Sequence, residues 1–181
     1  MNWQRLMKRL VVEGIREAGR QATKRRPSGL EEPKGRRYQQ PVPPSQSVNY
    51  PGDFSGAVDP VYDPHPDGLP DPGEIVWTWV PYEEDVTKGK DRPVLLIGRD
   101  DPWLLGLQVT SQDHDRDAVA EAREGRFWED IGAGDWDNRR RPSEVRVNRL
   151  IRIDPSAVRR IGAVLDEETF QRVAREVRKH T

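Results

Sequence analysis

Apolar and polar positions alternate most clearly from Ile75 onward. Ile75, Trp77 and Trp79 alternate with Val76, Thr78 and Val80, which predicts a strand with one strongly aromatic face. Pro81–Asp91 is polar, contains Gly89 and reads as a loop. Pro93-Val94-Leu95-Leu96-Ile97 is a continuous apolar run closed by Gly98, the pattern of a buried strand with proline at its first position. Leu104–Thr110 predicts a third strand. Val145, Val147, Ile151 and Ile153 recur at even spacing around Arg146, Asn148 and Arg152 and predict a fourth, and Arg159–Leu165 predicts a fifth.

The period then changes to that of a helix. Phe170, Val173, Ala174 and Val177 form one apolar face, and Asp166 stands where an N-cap is needed. Glu167 and Glu168 suit the positive helix end, and Arg175, Arg178 and Lys179 the negative end. Leu165 and Phe170 occupy the two positions of a hydrophobic staple. Short strands followed by one terminal helix predict a mainly β, α+β domain: a small barrel of residues 72–181 with a docked helix. Gln112–Arg141, charged but holding Phe127, Trp128, Ile131 and Trp136, is expected to add a short helix and a long loop over one barrel end.

Upstream, the pattern dissolves. Trp3, Leu6, Leu10 and Ile15 fall near one face of a basic helix over residues 1–26, weakened by Gly14 and Gly19. It is either a helix that needs a partner to persist or an anchor to a membrane surface or nucleic acid. From Pro27 to Pro72 there are eleven prolines in 46 residues. Proline removes a backbone donor and restricts the residue before it, so neither helix nor central strand runs through here. Residues 27–71 are therefore expected to be an acidic, extended, disordered linker.

Composition adds charge segregation to this picture. Residues 1–37 carry eleven Lys and Arg against four Glu, whereas Tyr38 to Thr87 carries nine Asp and Glu and neither Lys nor Arg. The remainder is nearly balanced, so any anionic ligand must be met by a local patch. There is no cysteine, and the three histidines are scattered, which argues against a disulfide framework or a metal centre; no cofactor is expected. No apolar run is long enough to span a membrane, and the first residues lack a signal-peptide pattern, so a soluble, cytoplasmic protein is expected. His114, between Asp113 and Asp115, is a candidate general base, set against the ordinary reading of a solvated loop histidine.

Four stretches in fixed order carry a family likeness. Pro72-Gly73-Glu74-Ile75-Val76-Trp77, Arg92-Pro93-Val94-Leu95-Leu96-Ile97, Val109-Thr110-Ser111 and Arg149-Leu150-Ile151-Arg152-Ile153-Asp154 with the following strand and helix resemble the MazF or PemK toxins. The resemblance implies an SH3-like barrel that cleaves single-stranded mRNA without a metal, works as a homodimer and is bound by an antitoxin. It also implies that Arg92 and Thr110 are the catalytic pair, with Ser111 beside them. A guanidinium offers two coplanar donors to a phosphate, and a hydroxyl adds a third hydrogen bond. Arginine seldom gives up its proton, so Arg92 is assigned to charge stabilisation and the general base is left unassigned.

Lys88, Lys90, Arg139, Arg140, Arg141, Arg146, Arg149 and Arg152 are candidates for RNA phosphates, and Trp79, Trp128 and Trp136 for stacking on bases. Two departures from the family stand out. The first loop, Tyr82–Asp91, lacks the usual Gly-Ser-Glu stretch, and residues 1–71 have no counterpart in compact members. They favour an alternative, a catalytically silent barrel that binds nucleic acid or a protein. A gyrase-binding relative of the same fold is a third reading, and the Arg-Pro and Thr-Ser stretches count against it. The acidic linker is expected to lie on the protein's own basic patch and reduce activity.

Overall fold

The computed structural model describes residues 50–112 and 118–181. The basic helix expected over 1–26, the first part of the proline-rich stretch and Asp113-His114-Asp115 lie outside the described residues. The chain order is β1 (Glu74–Pro81), β2 (Gly89–Asp100), β3 (Trp103–Thr110), α1 (Ala118–Arg123), β4 (Trp128–Gly132), β5 (Ser143–Arg146), β6 (Ile151–Ile153), a 3-10 turn (Pro155–Ala157), β7 (Arg160–Val164) and α2 (Glu167–His180). The seven strands among the described residues form one antiparallel sheet in the order β4-β5-β3-β2-β1-β7, with β6 also on β3. It is a small, barrel-like β fold closed by a C-terminal helix.

Both faces of the central strands are buried, which is why β2 reads as a continuous apolar run. Ile75, Leu95, Ile97, Leu105, Leu107 and Val109 face one core, where Phe170, Val173, Ala174 and Val177 of α2 pack. Val76, Val80, Val94, Leu96, Leu104, Ile151 and Ile153 face the other, with Tyr50, Val158 and Ile161 against them. Gly106 is required on this second face. A Cβ there would stand 2.4 Å from Val94 Cγ1 and 2.8 Å from Ile153 Cδ1, so only glycine lets β6 lie this close to β3. The α2 cap forms as its sequence predicts: the Thr169 amide donates to the Asp166 carboxylate at 2.9 Å, and Leu165 and Phe170 are buried.

Three expectations are revised. The single strand over Val145–Ile153 is two. β5 pairs Val109–Thr110 and β6 pairs Leu104–Gly106 on the same edge of β3, and the register jumps by three residues between them. Val147–Leu150 bulges out because its groups are engaged elsewhere: Arg149 donates to the Pro81 carbonyl at 2.8 Å and Leu150 bridges to Phe54. The loop expected after Gln112 contains a strand, β4, that pairs β5 through Trp128↔Arg146 and Asp130↔Glu144. Polar, half-buried edge strands carry little apolar periodicity, so the pattern did not reveal it.

The third revision concerns the linker. Residues 50–71 are docked on the sheet as a strap. A bulge between Leu96 and Gly98 leaves carbonyls of β2 outside the ladder, and the strap supplies donors: the Val61 amide to Ile97 O at 2.9 Å, with Gly73 N to Leu96 O at 2.9 Å just beyond it. Tyr62 donates to Leu165 O at 2.9 Å and packs on Phe170, ring centroids 5.1 Å apart. Proline content correctly excludes helix and ladder strand here, but an extended chain with no internal hydrogen bonds can still dock through isolated donors and aromatic side chains.

Candidate functional site

The second face becomes polar toward the C-terminal end of β3. The β2–β3 ladder runs through Leu95↔Leu107 to Val94↔Gln108. The ladder ends there, and Arg92 on β2 and Thr110 on β3 lie two residues beyond its last pair. Arg92 is paired on its other side with Thr78, and Thr110 with Glu144. Directly paired residues point to the same side of a sheet. Thr78 and Arg92 therefore form one polar pair across β1 and β2, and Thr110, Glu144 and Asp130 a polar row across β3, β5 and β4. The adjacent row holds Val94, Gln108, Arg146 and Trp128.

Arg92 is half-buried, and its side chain makes no hydrogen bond or ion pair among the described residues. Its acidic neighbours are engaged elsewhere. Asp91 binds Arg159, and burial raises its carboxyl above the ordinary value despite that arginine. Glu83 is held by Arg146 in a two-pronged pair at 2.6 and 3.0 Å, and this hydrogen bonding lowers its carboxyl below the ordinary value, against burial. Thr110 is half-buried, and its hydroxyl accepts from the Gln112 amide at 3.2 Å, which leaves its own proton to donate. Ser111 follows it, also half-buried. A guanidinium without a partner, on the strand next to one that carries a hydroxyl able to donate, is a group that an anion can engage.

The other basic candidates divide into three groups. Arg146 and Arg149 are only 8% and 6% exposed. Arg149 is bound to Asp53 of the strap at 2.7 Å and to Pro81 O, and burial with hydrogen bonding to Asp53 raises the Tyr50 hydroxyl that completes this cluster. Arg152 is held by Asp100 at 2.6 Å and by the Gly52 and Asp53 carbonyls. These arginines are structural anchors as they stand, a revision of the expectation that they line an open phosphate track: an alternating strand puts them in one row but says nothing about which acids come to meet them. Lys88, Arg140 and Arg141 make surface pairs with Asp85, Asp135 and Asp137, and hydrogen bonds from Arg141 lower the Asp137 carboxyl to about 2. Lys90 and Arg139 are exposed, with no side-chain partner among the described residues.

Of the tryptophans, Trp136 is in the core and donates to Ser143 Oγ at 3.1 Å, which removes it as a stacking platform. Trp128 is half-exposed, donates to Glu121 at 3.0 Å and lies in the row beside the Thr110–Glu144–Asp130 row. Trp79 is half-exposed on the opposite face. Glu144 and Gln108 escaped the reading of the sequence. Their signal was present: Glu144 alternates with the buried Val145 as Arg146 does, but the predicted strand was begun at Val145. Among the described residues no three His, Asp or Glu side chains cluster as a metal site, and no helix is long and apolar enough to cross a membrane.

Comparison with known proteins bears on the reading. No curated protein matches the chain. Among solved structures, the chain is similar to one in the crystal structure of MazE-MazF (Form-II) from Deinococcus radiodurans, with 15% identity and a TM-score of 0.42, covering 61% of this chain and 94% of that one. The family of PemK-like, MazF-like toxins of type II toxin–antitoxin systems matches residues 71–181, more than half of the chain and the whole of its strands and terminal helix. Strands, capped helix and the Arg92 and Thr110 positions all fall inside that match, and the chain belongs to the PemK-like, MazF-like toxin family.

Proposed function

We propose that the chain is a sequence-specific endoribonuclease that cleaves single-stranded RNA by attack of the RNA's own 2′-hydroxyl, without a metal. The observation that carries this reading is Arg92, unpartnered among the described residues and on the strand next to that of Thr110, in a member of a toxin family. Arg92 stabilises charge that builds on the phosphorus oxygens, and Thr110, with Ser111 beside it, orients the phosphate. Lys90 and Arg139 are the cations best placed to meet flanking phosphates, and Trp128 offers a ring for a base. The working unit is a homodimer, and an antitoxin segment competes with RNA for the same surface.

The test is incubation of the purified full-length protein with a long single-stranded RNA in EDTA, alongside Arg92→Ala and Thr110→Ala variants whose circular dichroism matches the parent. Cleavage at a recurring short sequence, lost in both variants, is the expected result. RNA binding without cleavage by the parent would transfer the assignment to a silent binding module, the reading that the altered β1–β2 loop favours.

A further inference from the structure

Transesterification by a 2′-hydroxyl needs a proton acceptor, and neither arginine nor threonine serves well at neutral pH. We propose that Glu144 is that acceptor; the inference rests on the ribonuclease reading above and deepens it. Glu144 is directly paired with Thr110 across the β3–β5 ladder. Side chains so paired have Cβ atoms about 5 Å apart. Arg92 lies on β2, the strand on the other side of β3, so a guanidinium and a carboxylate come from the two strands that flank Thr110. In-line displacement sets the attacking and leaving oxygens on opposite sides of phosphorus; Glu144 serves the attacking oxygen, while Arg92 serves the non-bridging oxygens between them.

The 2′-oxygen forms a bond to phosphorus while its proton passes to the Glu144 carboxylate. The bond from phosphorus to the 5′-oxygen breaks, and that oxygen takes a proton from solvent, leaving a 2′,3′-cyclic phosphate and a 5′-hydroxyl. Arg92 holds the non-bridging oxygens throughout. Glu144 is 9% exposed, so the carboxylate works where water competes little. Charged groups around it include Asp130, its pair on β4, and Arg146 two residues along β5 with Glu83 bound to it, and Glu144 is itself engaged by a partner rather than free.

The experiment measures cleavage by the full-length chain of a short RNA containing one mapped cleavage site, as a function of pH, for the parent, Glu144→Gln, Glu144→Asp and Arg92→Ala. Glu144→Gln is expected to lower kcat at least about 100-fold, the usual scale of a lost general base, with KM little changed and the acidic limb of the profile abolished. Glu144→Asp keeps the carboxylate and is expected to keep that limb at reduced rate. The same RNA with sulfur in place of the bridging 5′-oxygen separates base from acid. Sulfur leaves without a proton, so a base variant stays slow on it, whereas recovery of Glu144→Gln on that substrate would make Glu144 the acid and overturn the proposal. Glu144→Gln cleaving within threefold of the parent overturns it equally, and if that variant does not fold, a parent-like rate and profile for Glu144→Asp does so. Failure of the parent to cleave any RNA strikes the ribonuclease reading itself, a result distinguishable from these.

Discussion

Arg92 lies on β2 with no side-chain partner among the described residues, whereas Arg149, which reaches the end of the same β1–β2 hairpin through Pro81, is buried and bound to a carboxylate and a carbonyl. Both are arginines in strand-like sequence next to apolar residues. They differ in what the fold brings to them. Arg149 is met by Asp53, delivered from 96 residues away by the strap. The acids near Arg92 in sequence are drawn off by other arginines, Asp91 by Arg159 and Glu83 by Arg146. A guanidinium stripped of internal partners is available to a ligand, and one enclosed by them is part of the scaffold.

The comparison breaks most sharply if the strap is removed. A chain beginning at residue 72 loses the aromatic packing of Phe54 and Tyr62 and leaves Arg149 buried without its carboxylate. Each half-buried aromatic contributes about 1 kcal/mol and a broken buried pair about 3 kcal/mol or more, a large share of the stability of a domain this size. Such a chain is expected to be largely unfolded by circular dichroism and urea titration. A cooperative transition at the parent's midpoint would show that the strap is dispensable. This expectation replaces the simpler one that deleting the acidic segment only raises activity, although the strap does lie on basic residues, Asp59 on Arg178 as well as Asp53 on Arg149.

Arg92→Ala should separate function from stability. Loss of a charge-stabilising donor lowers cleavage by roughly 100- to 1,000-fold, while thermal unfolding stays close to the parent because no internal partner is orphaned. A drop in stability of more than about 1 kcal/mol would place Arg92 with the anchors instead. Arg149→Ala is the mirror image. It leaves Asp53, 31% exposed, without its cation, and is expected to cost about 3 kcal/mol in chemical denaturation, the lower end of the range because water partly reaches the acid. Retention of full stability would reduce the buried pair to a bystander.

Glu83 and Arg146 lie between these extremes. The folded-state carboxyl of Glu83 is held below its ordinary value of 4.5, so the pair stabilises fully above that value and loses its contribution as pH falls through the lowered one. The Glu83 side chain is 50% exposed, and the effect is accordingly less than about 1 kcal/mol. The difference in stability between parent and Glu83→Gln should be present at pH 7 and shrink as pH is lowered below 4; a difference that grows on acidification would contradict the pairing. The smallest effect is expected at Lys90 and Arg139. Replacing either by alanine should leave unfolding unchanged and reduce the salt dependence of RNA binding by about 0.7 in the log–log slope, one phosphate contact on a single strand.

What was legible in the sequence follows from local physics. Alternation at Ile75–Val80, the apolar run at Pro93–Ile97 and the Asp166 cap report interactions spanning a few residues, and the structure forms all three. The motifs around Arg92 and Thr110 were visible for the same reason, since each adjoins a run of residues that the pattern marks, although β2 begins at Gly89 and holds Arg92 inside it. Glu144 was not, because its pairing with Thr110 is set by the register of two strands 34 residues apart in sequence.

The sequence by itself therefore determined β1, the apolar part of β2, β3 and where the last helix begins, whereas β4 and the division between β5 and β6 came from pairing across the chain. Tertiary structure alone decided which charges meet. A proline-rich segment docks when an irregular strand leaves carbonyls for it to satisfy, and an arginine is anchor or binding group according to the acids that folding delivers to it. Hydrogen bonds and ion pairs act over a few ångströms of space whatever the distance along the chain, so composition can count these groups without placing them.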